Sequence, residues 1–185
     1  MFRQFCGLLQ QRLDLTYRDL SPAGKLKARL GRFRRGLEFS FNSGVPTLPV
    51  FPEKVSLSDV NRAVMRPLNR DEALSLSRFV AAKLFGKQYF GASFFNYSWL
   101  DGINFLILIT GAVMWYARAL ALARGAAELG DEDVIEAIRY VDLSYGSSRA
   151  PAQMFERLRV ALLSSSDTAV RLAIAQYGRA LPAGT

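Results

Sequence analysis

Apolar residues recur at steps of three and four along most of this chain, and each recurrence is bounded by helix-start and helix-stop residues. Ser56-Leu57-Ser58-Asp59 reads as a capped start, with Val60 and Val64 on one face and Pro67 after the end. Asn69 followed by Glu72 opens the next helix, which Leu76, Phe79, Val80 and Leu84 line and Gly86 closes. A long apolar helix follows from about Leu100 to Arg124, stopped by Gly125. Asp131 begins a helix that turns Val134, Ile135, Ile138, Val141 and Tyr145 inward and ends at Gly146. Pro151 starts another through Met154, Phe155, Leu158, Ala161 and Leu162. Ser166 opens the last, with Val170, Ala173, Ile174 and Tyr177 on one face.

The first forty residues repeat the pattern with more interruptions. Phe5, Leu8, Leu9, Leu13 and Tyr17 suggest a helix within residues 1–20. Leu26, Leu30, Phe33 and Leu37 then fall on one helical face, with Ser21-Pro22 as N-cap and first helical position. Gly24, Gly31 and Gly36 weaken that helix, each by roughly 0.5–1 kcal/mol relative to alanine. Leu37, Phe39 and Phe41 alternate with Glu38, Ser40 and Asn42, the only strand-like pattern in the chain. The stretch from Asn42 to Pro52 carries Gly44, Pro46, Pro49 and Pro52 and reads as a linker. The expected fold is all-α: an irregular multi-helix bundle around one long apolar central helix. Its organisation is a basic helical arm over 1–41, a Pro-rich linker over 42–55 and a helical domain over 56–181.

The central segment raises the question of a membrane. Gly102 to Ala117 is sixteen residues without charge, about 24 Å of helix against a hydrocarbon core near 30 Å. Extending back to Gln88 gives thirty residues interrupted only by Asp101, at roughly 2.5–3.5 kcal/mol for a mid-membrane aspartate. Asn104, Thr110, Gly102 and Gly111 also favour a helix buried inside a helical domain over a membrane-inserted hairpin or span.

Charge changes the picture at one place. The 185 residues hold 24 Lys+Arg against 16 Asp+Glu, and residues 1–40 carry nine of the former and three of the latter. Lys25, Lys27, Arg29, Arg32, Arg34 and Arg35 fall in eleven residues without an acid. The first reading is a solvated helix whose apolar stripe docks on its own domain. The second is a surface for another protein segment or an anionic membrane. Nucleic acid is disfavoured, because no aromatic-interleaved sheet, zinc finger or clear helix-turn-helix accompanies the cations.

Composition narrows the chemistry. The chain has no histidine, which excludes Ser-His-Asp and Cys-His machinery and His-ligated zinc. Its one cysteine, Cys6, excludes an internal disulfide and a Cys-only metal cluster from this chain alone. Asp131, Glu132, Asp133 and Glu136 look like an acid cluster, but the first three meet the positive end of a helix and read as caps. Gly125 to Gly130 has phosphate-loop glycine spacing, yet Asp131 and Glu132 follow where Lys and Ser/Thr are needed. Residues 85–99 hold seven aromatics, Tyr89, Phe90, Phe94, Phe95 and Trp99 among them. These either pack the core around the central helix or form a pocket wall or partner-facing patch. Met1 to Leu9 starts basic and apolar but is too short for a signal-peptide core, so the expected location is cytoplasmic, with peripheral membrane association as the alternative.

The order SRFVAAKLFGKQYFG (77–91), an apolar helix with WYARALALARG (115–125), then DEDVIEAIRYVD (131–142) and Tyr145-Gly146-Ser147-Ser148 resembles the C-terminal helical part of bacterial YkgJ-type cysteine-cluster proteins, related to flagellin lysine-N-methylase. The resemblance covers roughly residues 70–163. It implies an all-α partner domain beside a cysteine-rich region that holds a metal or iron–sulfur centre. Cys6 cannot replace such a cluster, so no catalytic, cofactor or metal residue carries over, and any iron–sulfur or other metal centre must be supplied by a cysteine-rich segment elsewhere. The resemblance thus implies a truncated reading frame or a chain acting beside a cysteine-bearing subunit. The expected function is a non-catalytic helical domain acting through protein contacts, with the six basic residues and the aromatic segment as contact surfaces. The alternatives are part of a lysine-N-methylase-like enzyme completed by another segment, and a peripheral membrane protein.

Overall fold

A computed structural model describes residues 6, 21–41, 43, 55–64, 66–126, 128–146, 154–164, 170, 171, 173, 175 and 176. The helix expected within 1–20, apart from Cys6, and most of the linker lie outside them. The described residues are predominantly helical and contain no strand. The helices are α1 (Pro22–Ser40), α2 (Leu57–Arg62), α3 (Arg70–Phe85), α4 (Trp99–Ala123), α5 (Asp131–Gly146) and α6 (Met154–Ser164). Val170, Arg171, Ala173, Ala175 and Gln176 are also helical.

The long helix α4 organises the rest. Its 25 residues span about 38 Å, and α2, α3, α5 and α6 all pack on it. Every residue from Gly111 to Ala119 is buried, so the helix is covered on all sides, as its all-round apolar sequence requires. It is long and apolar enough to cross a membrane, yet 83% of its most apolar window lies inside the chain's own packing. Polar ties fix its neighbours. The Trp115 indole N–H donates to Asn61 Oδ1 on α2 at 2.9 Å, and Asn61 donates back to the Leu57 carbonyl at 2.8 Å. Ser98 caps the start, accepting from the Asp101 backbone N–H at 3.1 Å. Gly125, at a positive φ of 72°, ends the helix.

Helix α3 is pinned at its first turn. Asn69 accepts from the backbone of Asp71 and Glu72 while Glu72 accepts from the Asn69 N–H, a complete capping box. The same Glu72 carboxylate, fully buried, takes a two-pronged ion pair from Arg66 at 2.7 and 2.8 Å. Arg66 also reaches the Leu129 carbonyl at 2.5 Å, tying α3 to the loop that feeds α5. Truncating Glu72 would leave Arg66 half of a broken pair, the arrangement in which a partly buried ion pair matters most.

Four expectations are corrected. Leu37, Ser40 and their neighbours are helical: α1 runs to Ser40, and Phe41 N–H closes it on the Leu37 carbonyl at 2.9 Å. Phe41 extends the series 26, 30, 33, 37, so the helical period outcompetes the alternating one. Val64 lies beyond the end of α2 and is exposed. On α6 the inward residues are Val160 and Leu163, whereas Leu158 and Leu162 face outward, because the helix presents that edge to α4. Ile135 is likewise more exposed than its α5 neighbours Val134 and Val141.

Glycines report this packing directly. A Cβ at Gly102 would sit 2.3 Å from the Phe90 ring and 2.5 Å from the Tyr89 carbonyl, whereas one at Gly31 meets nothing within 4 Å. Gly102→Ala is therefore expected to lower stability by about 1–3 kcal/mol through overpacking. Gly31→Ala is expected to stabilise α1 by up to about 1 kcal/mol. Thermal unfolding for the first, and helix content by circular dichroism for the second, read the two effects; equal behaviour of both variants would contradict this packing.

Candidate interaction surfaces

The segment between α3 and α4 is where the aromatic residues concentrate, and its backbone is unusual. Lys87, Phe95 and Asn96 all adopt positive φ near 50–60°, as does Gly91. For a bulky residue such as Phe95 this is a strained conformation, held only by its surroundings. Those surroundings are a tight turn: Gly91 and Tyr97 form an isolated bridge with the Gly91 N–H on the Tyr97 carbonyl at 2.9 Å. Ser93 Oγ donates to the carbonyls of Lys87 and Phe90 at 3.0 and 2.8 Å.

This turn sorts the aromatics into two sets. Tyr89, Phe90, Phe94 and Tyr97 are buried, so the core, not a partner, receives the first three of the expected contact residues. Tyr89, Phe94 and Tyr97 cluster edge-on or tilted around Phe105 of α4, centroids 4.9–5.9 Å apart. Phe95 is half-buried against the same core. Trp99 faces out: it is 59% exposed, its ring stacked on Phe90 at 4.6 Å. Leu100 and Ile103, one and four residues on, are also exposed, and so is Phe85 at the end of α3. Leu100 and Ile103 are contact candidates that the sequence pattern did not single out, and Phe85 is the outward member of the expected aromatic segment. Trp99, Leu100 and Ile103 fall within about 100° of arc on the helix, which makes them one apolar edge on an otherwise buried element.

Beneath the aromatic turn lies a buried cation. Lys83 Nζ pairs with Asp142 of α5 at 2.5 Å and donates to Gln88 at 2.6 Å, above the Phe79 and Tyr89 rings. The pair joins α3 to α5 and fixes Gln88 at the start of the turn. On the outer side of α3, Leu68, Ala73, Leu76, Val80, Leu84 and Phe85 line an open apolar groove of about 400 Å³.

The acidic group at the start of α5 is a set of ties. Asp133, buried, accepts from Arg124 and from the Gly130 N–H at 2.8 Å. Asp131 accepts from Asn69 at 2.8 Å, linking the first turns of α3 and α5. Among the described residues no three His, Cys, Asp or Glu side chains converge. Arg118, an arginine deep in α4 that the sequence reading passed over, is fully buried and donates to Gln176.

On α1 the stripe does not dock on the described helices as the first reading expected. Leu26, Leu30, Phe33, Leu37 and Phe41 are 41–77% exposed. Lys27 and Arg34 are exposed and Lys25 is half-buried; Arg34 pairs with Glu38 at 2.9 Å, one turn on. The side chains of Arg29, Arg32 and Arg35 lie outside the described set. Neither surface is shared between the two segments: α1 supplies the basic one and the start of α4 the aromatic one.

Comparison with protein-family models, with curated proteins and with solved structures finds no match to this chain. Functional inference therefore rests on its own side chains.

Cys6 belongs to the core. Its side chain is buried and its carbonyl accepts from Tyr116 Oη at 2.7 Å. Burial pushes the thiol well above its ordinary range, so the nucleophilic thiolate is suppressed in the folded chain. The folded thiol thus keeps its proton to higher pH than the unfolded one. Its contribution to stability is whole below the unfolded pKa near 8.5 and falls above it, by up to about 1.4 kcal/mol per pH unit. Iodoacetamide at pH 8 is expected to label Cys6 only after unfolding, and Cys6→Ala to flatten the alkaline loss of stability. Labelling of the folded protein at the unfolded rate would contradict the buried assignment.

Proposed function

We propose that this chain is a non-catalytic helical domain that works by protein contact, seated beside a cysteine-bearing segment of the kind that the YkgJ-type resemblance implies. One observation supports it most: the start of α4 presents Trp99, Leu100 and Ile103 to solvent on a helix that is otherwise buried or half-buried. Tryptophan is among the residues most enriched at the energetic centres of protein interfaces, and exposed aliphatic neighbours add apolar area around it. Here the edge is pre-organised, because Trp99 rests on the buried Phe90 ring and Gly102 admits that ring against the helix backbone. A surface already held in one geometry loses little conformational freedom on binding.

In this reading any metal chemistry belongs to the partner, and this chain contributes shape and a fixed docking edge. A photo-crosslinking residue placed at Leu100 in the native host tests it. The expected result is one dominant crosslinked protein, identified by mass spectrometry as cysteine-rich and lost in Ile103→Glu. The same probe at Leu143, an exposed residue of α5, is expected to give no such product. Equal yields at both positions, or a partner without clustered cysteines, would sink the proposal.

A further inference from the structure

We propose that α1 is an interfacial anchor: it lies in the plane of an anionic lipid surface, with Leu26, Leu30, Phe33, Leu37 and Phe41 at the acyl boundary and its cations on the lipid phosphates. The inference is independent of the protein contact at α4.

Four features of α1 carry it. First, the five apolar residues form one continuous line. At 100° per residue they span about 80° of arc and, from Leu26 to Phe41, about 22 Å of length. Second, the chain leaves them in water: all five are 41–77% exposed, and none is in the core that α4 gathers. A core helix hides such a line, and five large side chains left exposed together mark a binding face.

Third, the charge is one-signed and placed at the borders. The helix Pro22–Ser40 carries six Lys/Arg and the single acid Glu38, which is already engaged by Arg34. Lys27 and Arg34 border the apolar line on one side and Lys25 on the other, and the backbone positions of Arg29 and Arg32 fall on the Lys25 side. Cations on both flanks of an apolar line suit a helix half-sunk in a headgroup layer, where each flank meets phosphates. Fourth, α1 makes no substantial packing with α2 to α6, so it can lie flat without disturbing the bundle. Charge complementarity names the occupant. The cations match an anionic surface, whereas the apolar groove on α3 is flanked in sequence by Arg70, Arg78 and Lys87 as well as Asp71 and offers no acidic excess to attract a second copy's α1.

The test is co-sedimentation of the full chain with vesicles of phosphatidylcholine alone or with about 30% phosphatidylserine, together with its oligomeric state by light scattering. Binding is expected to the anionic vesicles at low salt, to fall as salt rises, and to be weak on neutral ones. Lys27→Gln with Arg34→Gln is expected to lower anionic binding at least about tenfold. Leu30→Glu with Phe33→Glu is expected to abolish it while leaving the thermal unfolding of the bundle unchanged, since neither side chain is in the core. Equal binding to neutral and anionic vesicles, absence of binding to either, or full binding by the Leu30/Phe33 variant would overturn the proposal. A dimer that this variant dissolves, without vesicle binding, would overturn it in favour of a second copy.

Discussion

The constraint on which this structure depends is the enclosure of α4. A 25-residue helix with apolar side chains around its whole circumference cannot satisfy itself with one neighbour; it needs cover on every side. Helices α2, α3, α5 and α6 supply that cover, and the polar ties between them follow from it. Trp115 needs an acceptor once it is enclosed and finds Asn61. Lys83 and Asp142 bridge the two helices that flank the aromatic turn. Arg66 and Glu72 lock the loop that returns the chain toward α5. Remove the demand for enclosure, and none of these ties has a reason to sit where it does.

From this follows a division of labour. Single apolar side chains emerge on several helices, but two grouped apolar surfaces lie where enclosure ends. One is the first turn of α4, where Trp99, Leu100 and Ile103 emerge. Another is α1, which stands outside the enclosure and keeps its apolar line in solvent. The turn between α3 and α4 controls the first of these. Its left-handed residues Lys87, Phe95 and Asn96 reverse the chain tightly enough to tuck Phe90 under Trp99. Strain stored in such a turn is tolerated because four buried aromatic rings fix it from below.

Much of the fold was legible because helix ends are written locally. Ser56, Asn69 with Glu72, Gly86, Gly125 and Asp131 all mark boundaries that side chain and backbone chemistry dictates within a few residues. Facing was legible where a strong period met one large neighbour, as for Val134 and Val141. It was not legible on α6, where Val160 and Leu163 win over Leu158 and Leu162 only because of where α4 lies. The aromatic segment defeated periodicity altogether. The turn that sorts the rings uses three positive-φ residues without a glycine signal, Lys87, Phe95 and Asn96, beside Gly91, so Tyr89 and Phe94 could not be told from Trp99. Arg118 was hidden for a similar reason: a charge in a buried helix is intelligible only with its distant partner, Gln176, in place. The opposite failure occurred on α1, where a clear stripe was read as self-docking, although nothing local determines whether a neighbour is there to receive it.

Native-state hydrogen exchange tests most directly whether α4 is the enclosed centre and α1 stands outside it. Amides from Leu108 to Ala119 are expected to exchange only through global unfolding, with the highest protection in the chain and a dependence on denaturant equal to that of the whole bundle. Amides of α1 are expected to exchange far faster and without that dependence. Protection of α1 equal to that of α4, or local opening of α4 below the global unfolding free energy, would contradict this view of the molecule.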